Sequence, residues 1–231
     1  MHILLLRGMV YRMNFDFSSV LPSLPFILEG IKVTLKIVSL AAILGFILGI
    51  ILSLFKISTI KPLGWLADIY TSIFRGTPLV LQLMIIYFGS PQLLGYQIDG
   101  YVAAIISFGL NSAAYISEII RAGILAVDKG QGEAALALGV PYRSMMLNII
   151  LPQALKNILP ALMNEFITLT KESAIVTTIG VMDIMRRAYQ VGADKFLFLE
   201  PLLLAGLIYY IMVITLTFLG KVVEWRMRRS D

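Results

Sequence analysis

The chain has 231 residues, of which 58% are apolar, with a mean hydropathy of +0.87 and a net charge of +5. A soluble domain carries about 45–50% apolar residues, so this is a polytopic membrane chain, and the positive excess reads as Lys and Arg retained on the cytoplasmic side rather than as affinity for nucleic acid. With no cysteine and a single histidine, His2, disulfides, thiolate chemistry, His-based triads and His or Cys metal sites are excluded together.

In chain order, residues 1–25 read as an N-terminal extension and extracytoplasmic approach. The apolar run Ile3–Leu6 is too short for a signal-peptide core of about 7–15 residues, and translation from Met13 would account for the first dozen residues. The first span is Ile31–Phe55, with Ala41, Gly45 and Gly49 four apart on one face, a row that lets another helix approach closely. Pro62 suits a first helical position, so Pro62–Phe74 is predicted as an interfacial segment. Arg75-Gly76-Thr77-Pro78 then breaks the helix, because Pro78 lacks a backbone donor and Gly76 weakens the turn before it. The second span, centred on Leu79–Phe88, is therefore a broken one.

The third span is Tyr101–Val127. Ser107, Asn111, Tyr115 and Glu118 fall on one face of it at offsets of four, four and three. That face either lines a translocation pathway, with Asn111 and Tyr115 as polar lining, or closes a buried helix contact in which Arg121 pairs with Glu118.

Residues 128–152 form a polar interruption. Gly130–Leu138 is a helix-forming run rich in Ala and Leu, ended by Gly139 as glycine ends helices at the C′ position. Pro141 opens a second short helix, and Pro152 breaks or kinks the chain before the next span. Two short helices at an angle make a knob, on which Ala134 and Ala135 would let a partner's groove approach and Glu133 offers a carboxylate at the rim.

The fourth span, Gln153–Val181, carries Asn164 and Glu165 near its middle. A carboxylate there costs about 2.5–3.5 kcal/mol on insertion scales, so Glu165 either pairs with Lys171 or Arg75 or faces a wet pathway. Thr168 lies one turn on, and Lys171-Glu172-Ser173 suggests a local break, which survives at membrane depth only against protein or water. The predicted substrate contacts are Asn164, Glu165, Thr168 and Ser173. The fifth span is Phe196–Val222, closing a single membrane domain over 26–222 with a tail at 223–231. Lys and Arg are modestly enriched on the side of the 128–152 loop, which predicts a cytoplasmic C-terminus.

The loop resembles the cytoplasmic "EAA" segment of importer-type ABC permeases: Glu133-Ala134-Ala135, three residues, Gly139, nine residues, then Ile149, Leu151 and Pro152. Arg75-Gly76-Thr77-Pro78, Asn111-Ser112-Ala113-Ala114-Tyr115, Glu118-Ile119-Ile120-Arg121-Ala122-Gly123, Pro152-Gln153-Ala154 and Lys171-Glu172-Ser173 are similar to signatures of the polar amino-acid members of that family. The resemblance implies an all-α membrane protein with five transmembrane helices and the type I ABC importer permease fold, with the 128–152 loop supplying a cytoplasmic coupling helix. It further implies a multi-pass permease in a prokaryotic inner membrane, importing polar amino acids by alternating access. The Glu165 carboxylate, beside Asn164 and Thr168, predicts a polar or basic L-amino acid, arginine first and glutamine second, with acidic ones rejected. Implied partners are a second permease chain, ABC ATPase subunits and an extracytoplasmic amino-acid-binding protein. The chain has no cofactor of its own and no Gly-x4-Gly-Lys-Ser/Thr phosphate loop, so ATP and Mg would sit on the ATPase. An ATP-independent secondary transporter or channel is the alternative, and it leaves the Glu133 loop unexplained.

Overall fold

A computed structural model describes residues 15–228. The expectations about the Ile3–Leu6 run and the Met13 start, and His2, lie outside the described residues. The described chain is helical: α1 (Phe17–Val20), α2 (Leu24–Leu28), α3 (Gly30–Ile57), α4 (Lys61–Gly76), α5 (Leu79–Leu94), α6 (Gly100–Leu125), α7 (Lys129–Ala137), α8 (Tyr142–Met145), α9 (Leu151–Glu172), α10 (Ile184–Lys195) and α11 (Leu199–Arg228). Short 3-10 turns join α1 to α2 and extend α9 over Ser173–Ile179.

Among the described residues four stretches are long and apolar enough to cross a membrane, ending in α3, α6, α9 with its 3-10 extension, and α11. The pair α4–α5, bent by 100°, brings the number to five when it is counted as one broken span. The break falls at Thr77-Pro78, as the missing proline donor predicts, and the local interruption expected at Lys171-Glu172-Ser173 is the change from α to 3-10 winding. Pro152 occupies the first turn of α9, and a π turn over Met146–Ile150 precedes it. Pro160 lies inside the helix.

The core is built by α3 lying along α6. A Cβ at Gly45 would stand 2.9 Å from Ser112 Cβ, and one at Gly49 would stand 2.7 Å from Ile116 Cγ2. Glycine at both positions lets the backbones approach closely. The Ala41, Gly45, Gly49 row is thus covered by a helix of the same chain, and it creates no need for a second one. Phe108, Leu83, Ile37 and Leu169 fill the adjoining core.

A second core at the other end of α3 packs α2, α10 and α11 through Ile27, Ile184 and Ile208. Asp183 is fully buried there and caps α10, accepting from Arg186 N–H (2.8 Å), Thr177 Oγ1 (3.0 Å) and Tyr209 Oη (3.0 Å). Burial pushes this carboxyl above its ordinary range, and the three donors offset part of that.

Candidate permease site

Glu165 points from the middle of α9 into a cavity of about 400 Å³ between α3, α6 and α9, lined among others by Ser39, Ile43, Phe46, Ser112 and Phe166. Ser112 Oγ donates to Glu165 Oε1 at 2.8 Å. Among the described residues Glu165 joins no ion pair. One hydrogen bond to a charged acceptor is worth about 1.5–3 kcal/mol, enough to hold the side chain but leaving the carboxylate without a counter-charge. Lys171, one of the expected counter-ions, is exposed at the far end of α9, and Arg75 stacks elsewhere.

The other expected substrate contacts are distributed differently. Asn164 is turned to the opposite flank of α9, in a cavity of about 130 Å³ shared with Thr217, Gly220 and Lys221. One residue along a helix rotates the side chain by about 100°, and here that turn takes Asn164 out of the lining of the Glu165 cavity. Thr168 is half-buried and outside the lining of the Glu165 cavity. Ser173 is fully buried, its hydroxyl donating to Thr170 O at 2.7 Å within its own turn. Neither reaches the cavity.

Asn111, expected on the pathway, is buried in a polar knot at the break of the second span. Phe74 O, freed from helical bonding by the break, accepts from Asn111 Nδ2 (3.0 Å) and Gln82 Nε2 (2.9 Å). Gln82 Nε2 also donates to Thr77 O at 3.1 Å and Thr77 Oγ1 at 2.9 Å, while its Oε1 accepts from Asn111 at 3.0 Å. The side chains satisfy a backbone that lipid could not. Tyr115 is exposed, and the Arg75 guanidinium stacks on its ring at 5.4 Å.

Glu118 does pair with Arg121, through Nε at 3.0 Å and Nη2 at 2.8 Å. The sequence reading missed its second cation, Lys56 of α3, which pairs with Glu118 and with Asp68 (3.1 Å) and donates to Thr71 Oγ1 (2.9 Å). The Lys56 side chain is only 5% exposed, so this cluster ties α3, α4 and α6 together.

The 128–152 loop folds as a knob with its own small core of Ala135, Met145 and Ile150, against which Ile149 packs. Asp128 caps α7 by accepting from Gly130 N–H at 2.7 Å. At the other end Gly139 N–H donates to Leu136 O and Val140 N–H to Ala135 O, both at 3.0 Å, with Gly139 at φ +73°. These are the two bonds of a Schellman cap, which needs a left-handed residue at this point. Ala135 is therefore spent on the knob's interior. Glu133, Ala134 and Pro152 are exposed, as are the larger Leu136, Leu138 and Tyr142, while Leu151 is half-buried. Among the described residues no three His, Cys, Asp or Glu side chains come together as a metal site requires.

Residues 42–229 match the family described as the binding-protein-dependent transport system inner membrane component. The chain belongs to this family. It is 66% identical over 219 residues to the arginine transport system permease protein ArtQ of Bacillus subtilis, covering 95% of this chain and all of that one. The putative glutamine transport system permease protein GlnP of Rickettsia felis is 50% identical over 206 residues, 89% of this chain and 94% of the relative. Among solved structures, an amino acid ABC transporter crystallised with histidines superposes with a TM-score of 0.89 at 43% identity, over 93% of this chain and all of the other. The chain is thus an ABC importer permease subunit of the inner membrane, with the type I fold.

Proposed function

We propose that this chain forms the membrane path of an ATP-driven importer for polar or basic L-amino acids, with arginine the preferred substrate and glutamine second. The observation that carries this is the 66% identity, over nearly the whole chain, to a permease named for arginine transport. The Glu165 cavity agrees with it. A half-buried carboxylate with no counter-ion among the described residues suits a cationic group, and charge-assisted bonds strengthen where water is scarce. An acidic side chain would meet like charge there and be rejected.

ATP and Mg act on partner ATPase subunits, which dock on the 128–152 knob. Glu133, Ala134 and the exposed Leu136, Leu138 and Tyr142 offer the contact face, while Ala135, Gly139, Ile149, Leu151 and Pro152 hold its shape. An extracytoplasmic amino-acid-binding protein delivers the substrate, and a second permease chain, a copy or a homologue, completes the path. The C-terminus is cytoplasmic, on the same side as the knob. ATPase closure moves the two knobs, and the spans rock between outward and inward openings around the Glu165 cavity.

The test is Glu165→Gln in the reconstituted complex. Arginine uptake should fall about tenfold or more, the worth of one charge-assisted contact, while glutamine uptake falls less and basal ATP hydrolysis persists. Undiminished arginine uptake with intact ATPase coupling would make Glu165 a structural residue.

A further inference from the structure

Arg75 ends α4 at the break of the second span, with its guanidinium 5.4 Å from the centre of the Tyr115 ring. It is exposed, and among the described residues it joins none of the ion pairs. The broken backbone does not need it: Gln82 and Asn111 already satisfy Phe74 O, and Gln82 satisfies Thr77 O. A cation inside a span is expensive and as a rule marks a wet path or a charged partner.

Its depth is informative. Tyr115 lies three residues, about 4.5 Å of helix rise, from Ser112, the donor to Glu165. A cation without a carboxylate and a carboxylate without a cation therefore flank α6 at nearly one level. Every L-α-amino acid carries a carboxylate, whatever its side chain, and Glu165 cannot bind it. We propose that Arg75 recognises the α-carboxylate of the transported amino acid, with Tyr115 as its positioning residue. The guanidinium fork matches a carboxylate through two parallel N–H bonds. The ring beneath it holds the plane of the fork by cation–π attraction and consumes none of its in-plane donors.

This inference rests on the amino-acid importer reading, and the experiment separates the two. The permease–ATPase complex in lipid nanodiscs, without binding protein, is titrated with the twenty L-amino acids. The tightest ligand is then compared with its decarboxylated amine; for arginine that amine is agmatine. The wild type should bind the amino acid about ten- to a hundredfold more tightly than the amine, as one charged contact predicts. Arg75→Gln should bring the amino acid down to the affinity of the amine and leave the amine unchanged. Arg75→Lys should fall between, because a point charge replaces the fork. Equal weakening of both ligands, or no weakening, overturns the assignment. If Arg75→Gln does not assemble, Tyr115→Leu keeps the charge and removes its platform; it should lose part of the same preference, and an unchanged preference overturns the role. A tightest ligand that is neither basic nor polar refutes the proposed substrate class, while its own amine still decides Arg75. A complex that binds no amino acid refutes both.

Discussion

Gln82 is the residue on which the second span turns. Its amide donates to Phe74 O, Thr77 O and Thr77 Oγ1 and accepts from Asn111. Gln82→Leu would strand the Thr77 carbonyl and half of the Asn111 amide in a buried place, at about 1–3 kcal/mol for each unsatisfied group. The inactivation temperature of the detergent-solubilised protein should drop by several degrees, and amino-acid binding should weaken because Arg75 leaves the same break. An unchanged temperature would mean that water already serves these groups. Glu165 was legible in the sequence because a carboxylate within an apolar run carries a cost that must be met somewhere. Its donor was not. A serine in a helix can bond its own backbone, as Ser117 does to Ala114 O at 2.8 Å, and only the packing of α6 on α9 turns Ser112 to Glu165 across 53 positions. Gln82 carried the same signal as Glu165, a polar side chain in an apolar run, but the break beside it obscured where the span began.

Helix α7 shows how a short element holds its shape, through an Asp128 cap and a Schellman end at Gly139. A Cβ on Gly139 would meet nothing within 4 Å of this chain, so a substitution there is felt through backbone strain and through whatever docks. Left-handed backbone costs an L-residue about 1–2 kcal/mol, and asparagine is among the most tolerant. Gly139→Asn should therefore retain the ATPase in pull-down, and Gly139→Asp should lose it or lose substrate-stimulated hydrolysis. Equal behaviour of the two variants would remove the docking role from this end of the knob. The α3–α6 contact makes a second test. Gly49→Val drives carbon into Ile116 and toward Ala113 O, 3.2 Å away, and overpacking costs about 1–3 kcal/mol. Thermal inactivation should come several degrees earlier, and an unaltered profile would mean that the two helices separate freely. The spacing of Ala41, Gly45 and Gly49 announced a close contact but not its partner, since small residues every four positions fit any helix that comes near. The break at Pro78 and the change of winding at Ser173 were legible because proline and an intramembrane charge pair each disturb helical winding locally.

At the scale of the molecule, large apolar side chains lie exposed along α3, α4, α5 and α11, including Leu54, Trp65, Ile85 and Phe218. Lipid accounts for such surfaces. It does not account for the open flanks beside Glu165 and Arg75, where charge stands without a counter-charge among the described residues. A second permease chain over these flanks would complete the wet path, so native mass measurement of the purified complex should give two permease chains with two ATPases. A transport-competent complex with one permease chain would contradict that. The two short helices of the 128–152 loop were legible from its sequence alone; the inward turn of Ala135 was not, because it depends on Met145 and Ile150 closing the knob beneath it. The most direct measurement is uptake of labelled L-arginine into proteoliposomes holding the permease, its ATPase and the binding protein, with and without ATP. The account predicts accumulation only with ATP, inhibited by unlabelled arginine, less by glutamine, and little by glutamate. Arginine accumulation that proceeds equally without ATP, or ATP-driven uptake blocked most strongly by glutamate, would contradict it.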